Sequence, residues 1–129
     1  NIDHFKDIND THGHPIGDQV LRTLARILRE RLRRSDIVGR LGGDEFGVIM
    51  PATEPGQAKV LIEELAAAFH RVAHSANTAT FWLSFRAGVA FTRDGGESRT
   101  LLAEAAAAVQ QAKAQGGGVV VADSVSPAA

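Results

Sequence analysis

The sequence contains no cysteine, so disulfide bonds and thiolate chemistry are excluded for all 129 residues. Any metal site must therefore use oxygen or imidazole donors, and clustered carboxylates favour a hard cation such as Mg²⁺. An absence of cysteine is also typical of cytoplasmic proteins, and the cytoplasm is the location that we predict.

Long apolar runs are also missing, because no stretch approaches the length of a membrane span and no signal peptide is visible. An excess of one charge is lacking as well, since 14 basic and 15 acidic residues give a net charge of −1. Such a balance produces no bulk attraction to nucleic acid or to an anionic membrane, so we predict neither as a partner of this domain. The length is enough to bury one hydrophobic core.

The strongest local signal is the pair Gly42-Gly43 between two runs typical of strands, 36–41 and 45–50. Adjacent glycines predict a tight hairpin turn, because such turns need positive φ angles, and they leave the backbone open to a phosphate or sugar. Asp44 and Glu45 follow directly. Neighbouring strand residues point to opposite faces, so one carboxylate could hold a divalent cation while the other contacts substrate or anchors the turn. A solvent-exposed hairpin tip with idle acids is the alternative.

Periodicity predicts the rest of the fold. An apolar stripe from Pro15 onwards predicts a core helix and consists of Ile16, Val20, Leu24, Ile27, Leu28 and Leu32. Further helices are predicted over 58–73 and 98–115. Strands are predicted over 80–92, where Gly88 indicates a bulge or a close backbone approach, and over 119–121. This order predicts an α/β (α+β) fold with a mixed central sheet covered by helices and a projecting β-hairpin.

Three separated segments resemble the GGDEF domain of bacterial diguanylate cyclases. They are the run 3–10, the pairs Gly13-His14 and Gly17-Asp18, and the run 42–46. Three motifs in order with family-like spacing form a specific match, which identifies residues 1–123 as the domain and leaves 124–129 as a predicted disordered tail. The resemblance implies a fold similar to the palm of nucleotide polymerases and class III adenylyl cyclases, with its first central strand truncated upstream of residue 1.

The activity implied by the resemblance is the condensation of two GTP molecules into cyclic di-GMP and two pyrophosphates. Each domain of a two-fold homodimer would carry one GTP, with Mg²⁺ or Mn²⁺ as the cofactor. An upstream sensory or regulatory domain is expected. Asp44 matches the family's metal ligand and proposed general base, Glu45 the second acid, and Asn1 and Ile2 the remaining metal positions.

The resemblance also implies roles for residues that bind nucleotide. The guanine readers are Asn9 and Asp18, the residues near the ribose and α-phosphate are Gly42 and Gly43, the residues at the terminal phosphates are Phe5, Lys6 and Lys113, and the inhibitory product site is Arg33 with Asp36. Taken without the family, Lys113 and Arg33 would be ordinary solvated basic residues.

The sequence departs from the family at two functional positions. Asn1 replaces an aspartate that ligates Mg²⁺, so the metal site loses one negative charge. Gly117 replaces a phosphate-binding arginine within the run 116–118. These changes favour an alternative function, a degenerate GGDEF domain that senses GTP or cyclic di-GMP without catalysis. The intact Asp44, Asn9 and Asp18 favour the cyclase.

Overall fold

The structure is a computed structural model that describes residues 1–92 and 98–122; the predicted tail at 124–129 lies outside these ranges. In chain order its elements are α1 (Phe5–His12), α2 (His14–Arg31), β1 (Ile37–Gly42), β2 (Glu45–Ile49), α3 (Pro55–His70), β3 (His74–Ala76), β4 (Ala79–Phe81), β5 (Ala87–Val89), α4 (Ser98–Ala114) and β6 (Val119–Val121). Among the described residues, every helix is too short or too polar to form a transmembrane segment.

The described residues form two compact units. The first comprises Asn1–Pro51 and Glu64–Phe85, and the second comprises Ala52–Glu63 and the described residues from Arg86 onwards. In the first unit, α1 packs against α2 through a break at Gly13, whose φ of 92° suits glycine. The predicted stripe of α2 is confirmed in its central part, because the buried side chains of that helix are Val20, Leu21, Leu24, Ile27 and Leu28.

Within the described ranges the strands form three two-stranded sheets, whereas the sequence predicted a mixed central sheet. The pairs β1–β2 and β3–β4 are antiparallel, and β5–β6 is parallel. The predicted strand 80–92 is divided, because a tight turn at Asn77, with φ of 54°, pairs its first residues with β3 as a hairpin. Between the hairpin and β5, Phe85 forms a single antiparallel bridge with Ile2.

The second unit contains the close backbone approach predicted at Gly88. This residue lies in β5, against which α4 packs. A Cβ atom placed on Gly88 would lie 2.7 Å from the Val109 nitrogen and 2.8 Å from the Ala108 Cβ, closer than real atoms come. Only glycine fits at this position, because any side chain would collide with α4. The absence of a side chain lets the helix lie directly on the strand.

A run of stacked rings joins α1 to β3 and β4 in the first unit. The Phe81 ring lies between the rings of His12 and His74, with centroid distances of 4.9 and 5.5 Å. The rings of His74 and Phe69 pack edge to face, with their centroids 5.6 Å apart. His74 is only 7% exposed, and desolvation by this burial lowers the pKa of its imidazole from the ordinary value of 6.5.

We expect the free energy of unfolding to fall as the pH is lowered through 6.5, with a contribution from His74. Because the folded pKa is depressed, the unfolded chain binds the proton first as the pH falls through 6.5, and stability is lost until the folded pKa is passed. Urea unfolding at several pH values measures this effect. His74→Phe should weaken the pH dependence, whereas His14→Gln, at an exposed position, should preserve it; equal slopes for His74→Phe and the unmodified protein would refute the assignment.

Candidate functional site

The backbone of the hairpin turn is accessible, and an arginine side chain hydrogen-bonds to it. Gly42 ends β1 and pairs with Glu45 across a bulge, so the turn residues are Gly43 and Asp44, and only Gly43 of the two glycines has a positive φ (38°). No atom lies within 4 Å of a Cβ placed on either glycine. Arg40 donates from Nε and Nη2 to the Gly43 carbonyl oxygen at 3.0 and 2.7 Å. The turn is therefore held in shape while its surface stays accessible.

The first residues of the chain lie beside this turn. The Ile2 backbone N–H donates to the Asp44 carbonyl oxygen at 3.3 Å. The Asn1 side-chain amide donates to Glu45 Oε1 at 3.5 Å. Residues more than forty positions apart in sequence thus meet, and these four are the ones that the resemblance assigned to metal binding and catalysis.

The donors at this position are chemically suited to a hard divalent cation. An extended residue points its N–H and C=O groups to the same edge, so the Ile2 carbonyl faces the turn as its N–H does. The other oxygens are the Asn1 amide and the carboxylates of Asp44 and Glu45. Within residues 1–92 and 98–122, no three His, Asp or Glu side chains cluster as a metal cage, so the amide and the backbone carbonyl would have to complete the set. All these donors are oxygens, which fits Mg²⁺ or Mn²⁺.

The start of α1 offers unpaired backbone donors. His4 adopts a left-handed conformation with φ of 58° and turns the chain from Ile2 and Asp3 into the helix without a side-chain cap. The first residue bonded within the helix is Ile8, which donates to the His4 carbonyl. The N–H groups of Phe5 and Lys6 precede it and are the type of donor that binds phosphate at a helix N-terminus.

Asn9 lies where α1 meets α2, and it packs against position 17, where only glycine leaves room for it. A Cβ atom on Gly17 would collide with Asn9 Oδ1 and would lie 3.2 Å from the Phe5 ring. The Asn9 Oδ1 atom is buried and has no hydrogen-bond partner among the described residues. Asp18, the next residue after Gly17, is exposed. The Asn9 amide thus lies against the residue that precedes Asp18, and its Oδ1 atom is left unused by the described part of the chain.

Arg33 and Asp36 form a compact pair in the loop between α2 and β1. The Arg33 backbone N–H donates to Asp36 Oδ2 at 2.8 Å, and its Nη2 lies 3.4 Å from Oδ1. Nη2 also donates to the Pro51 carbonyl at 3.1 Å. The Asp36 side chain is buried, whereas that of Arg33 is 57% exposed, so the guanidinium is presented to solvent. Lys113 lies exposed in the last turn of α4, in the second unit.

The chain matches the family described as "Diguanylate cyclase, GGDEF domain" over residues 1–118. The chain belongs to the GGDEF family. It is 41% identical over 125 residues to the response regulator PleD of Caulobacter vibrioides (strain NA1000 / CB15N), covering 93% of this chain and 27% of PleD. It is 47% identical over 64 residues to the probable diguanylate cyclase DgcT of Escherichia coli (strain K12), covering 50% of this chain and 14% of DgcT.

The GGDEF fold is also found by structural comparison. The structure matches the GGDEF domain of DgcB from Caulobacter crescentus, solved in complex with c-di-GMP, with a TM-score of 0.88 and 27% sequence identity. The match covers 94% of this chain and 73% of that chain. The predicted mixed helix-and-strand fold is therefore confirmed, with short paired strands in place of a continuous sheet. The chain spans about a quarter or less of the curated relatives PleD and DgcT.

Two contacts in this GGDEF domain were not anticipated from the sequence. Arg40 supports the turn, although its position four residues before Asp44 predicts only a strand side chain. Asp3 begins the run 3–10 that carries the resemblance, but it precedes α1 and is buried. Its carboxylate accepts a hydrogen bond from Ser84, which is distant in sequence, so no local pattern could reveal the pair.

Proposed function

We propose that this GGDEF domain condenses two GTP molecules into cyclic di-GMP and two pyrophosphates across a two-fold homodimer. The observation that carries the proposal is the meeting of Asn1 and Ile2 with Asp44 and Glu45 beside an open glycine turn. This places oxygen donors for a cation beside a backbone that a triphosphate and a ribose can approach.

The roles follow from the geometry and chemistry of each group. Asn9 and Asp18 bind the guanine edge, for which an amide and a carboxylate supply complementary donors and acceptors. The N–H groups of Phe5 and Lys6 bind the terminal phosphates. Asn1, Ile2 and Asp44 would hold a divalent cation, which would neutralise charge on the triphosphate, and Glu45 is the second acid beside it.

The chemical step is a nucleophilic displacement at phosphorus. The 3′-hydroxyl of one GTP attacks the α-phosphate of the GTP on the partner subunit, forming a P–O bond as the bond to the β-phosphate breaks and pyrophosphate leaves. The Asp44 carboxylate accepts the hydroxyl proton. Two such steps close the ring. Most of the acceleration comes from holding the two nucleotides in line, because positioning and electrostatic stabilisation dominate phosphoryl chemistry.

The test is incubation of the purified protein with GTP and Mg²⁺, followed by chromatographic measurement of cyclic di-GMP and pyrophosphate. Formation of both products in a ratio of one to two supports the cyclase. The neutral Asn1 and the glycines at 116–118 favour the alternative, a sensor that binds GTP or cyclic di-GMP without turnover. Saturable nucleotide binding with no product would establish that alternative. An upstream input domain and a cytoplasmic location stay predictions of the sequence.

Gly17→Ala is expected to weaken GTP binding about tenfold, the equivalent of one hydrogen bond. The added methyl group would occupy the space of Asn9 Oδ1 and force that amide to rotate away from the base. Calorimetry with a non-hydrolysable GTP analogue measures the affinity. Gly39→Ala is the control, because no atom lies within 4 Å of its Cβ position; equal affinities for the two variants would contradict the guanine assignment.

Arg33→Ala is expected to lower the affinity for cyclic di-GMP at least about tenfold, because it removes the exposed guanidinium of the proposed inhibitory site. The catalytic residues are untouched, so turnover should persist and become less sensitive to added product. Arg26→Ala provides the comparison, since Arg26 is a similarly exposed arginine on α2. If both variants bind cyclic di-GMP like the unmodified protein, the inhibitory site lies elsewhere.

A further inference from the structure

Asp3 is a buried carboxylate that the proposed reaction leaves without a role. The residue is 8% exposed and lies between the metal-side residues Asn1 and Ile2 and the left-handed His4. Its Oδ2 accepts a hydrogen bond from Ser84 Oγ at 2.6 Å, and its backbone N–H donates to the Ser84 carbonyl at 2.9 Å. The Asp3–Ser84 pair therefore joins two residues 81 positions apart through both side chain and backbone.

The two backbone edges of the segment formed by Ile2 and Asp3 face different parts of the first unit. The N–H of Ile2 is directed to Asp44, whereas the N–H of Asp3 is directed to Ser84. Ile2 also forms its bridge with Phe85, the residue after Ser84. Because an extended chain alternates the direction of its peptide groups, fixing Asp3 on Ser84 fixes the Ile2 carbonyl on the opposite edge, toward the turn.

The two contacts that reach the turn hold the first residues only weakly. The bond from Ile2 to Asp44 is 3.3 Å long, and that from the Asn1 amide to Glu45 is 3.5 Å, so both are at the long end of hydrogen-bond distances. The bond from Ser84 to Asp3 is short and charge-assisted, which makes it the stronger restraint. A restraint that acts through another group is how outer residues orient the ligands of metal sites.

We propose that Asp3 is a positioning residue, which acts through its bond with Ser84 to aim the Ile2 carbonyl and the Asn1 amide at the Asp44–Glu45 turn. The inference rests on the proposed function, because it assumes that these groups receive a divalent cation with a nucleotide triphosphate. Asp3 itself touches neither. Its removal should therefore weaken cation binding while leaving guanine recognition at Asn9 intact.

The experiment compares Ser84→Thr with Ser84→Val, two variants of nearly equal shape of which only threonine keeps the hydroxyl donor. Mn²⁺ is titrated into the protein saturated with a non-hydrolysable GTP analogue, and free Mn²⁺ is followed by electron paramagnetic resonance. We expect the valine variant to bind Mn²⁺ about tenfold more weakly than the unmodified protein, and the threonine variant to stay within about twofold. The affinity of the analogue without Mn²⁺ should be unchanged in both.

Folding is monitored in parallel by the urea midpoint of each variant. If the valine variant does not fold, Asp3→Asn is used in the same titration, because the amide keeps an acceptor for Ser84 but loses the charge, and a weakening of several-fold is expected. Equal Mn²⁺ affinities for the folded Ser84→Thr and Ser84→Val proteins, or an unchanged affinity in Asp3→Asn, would overturn the positioning role alone. Failure of the unmodified protein to bind the Mn²⁺–nucleotide would overturn the proposed function and this inference with it.

Discussion

Replacing Asp44 by asparagine is expected to lower the rate of cyclic di-GMP formation by about 100-fold or more, the range typical of a lost general base. The amide has the shape of the carboxylate but neither its charge nor its basicity. The contact between Asp44 and Ile2 uses the backbone carbonyl, so the substitution leaves it in place and the fold should be preserved. Product formation under saturating GTP and Mg²⁺ measures the effect.

Binding measurements separate this loss from a general defect. Cyclic di-GMP should bind Asp44→Asn with unchanged affinity, because the proposed inhibitory site at Arg33 and Asp36 uses other residues. Glu64→Gln, an acid-to-amide change at an exposed position of α3, should retain full turnover. Turnover in Asp44→Asn within a few-fold of the unmodified protein would remove Asp44 from the proton transfer.

Gly88→Ala is expected to lower the free energy of unfolding by about 3 kcal/mol, the upper part of the range for overpacking a core. The added Cβ would meet the Ala105 carbonyl and the Val109 nitrogen of α4, and backbone atoms cannot rotate away as a side chain can. The helix must therefore shift off β5, which loosens the second unit. Chemical denaturation monitored by circular dichroism measures the change.

Gly56→Ala is the matched control for this prediction. Gly56 lies in the first turn of α3, and no atom lies within 4 Å of its Cβ position. Alanine there should leave stability unchanged or raise it by up to about 1 kcal/mol, because it restricts the unfolded chain. If Gly88→Ala is as stable as Gly56→Ala, α4 does not lie on β5 as described.

Much of the local structure could be predicted from the sequence because it depends on short-range patterns. The apolar spacing around Val20, Leu24 and Leu28 sets the buried face of α2. The glycines at 42 and 43 predict the hairpin, although the bulge that moves Gly42 into β1 depends on pairing with Glu45, which no single-strand pattern specifies. Gly88 indicates a bulge or a close backbone approach from the sequence, but the helix that approaches it is not specified there.

The errors occurred where pairing between distant segments overrides local preference. Apolar and aromatic residues over 80–92 predicted one strand, yet the turn at Asn77 diverts the first part into a hairpin with β3. The approach of Gly17 to Asn9 is set by the packing of two helices, which the sequence of either helix alone does not contain.

The site was predictable only as a set of residues. The resemblance named Asn1, Ile2, Asp44 and Glu45 together, and the structure brings these four into contact. Two hydrogen-bond donors support these residues, and neither belongs to a recognisable motif. Arg40 donates to the Gly43 carbonyl, and Ser84 donates to Asp3. Supporting contacts of this kind depend on tertiary distance, so they emerge only when the chain is folded.

A crystal structure of the protein with a non-hydrolysable GTP analogue and Mn²⁺, whose position the anomalous signal reports, would locate the nucleotide and the metal directly. We expect the Mn²⁺ peak beside Asn1, Ile2 and Asp44, with the guanine edge on Asn9. A nucleotide bound away from the glycine turn, or a base that does not touch Asn9, would contradict this expectation.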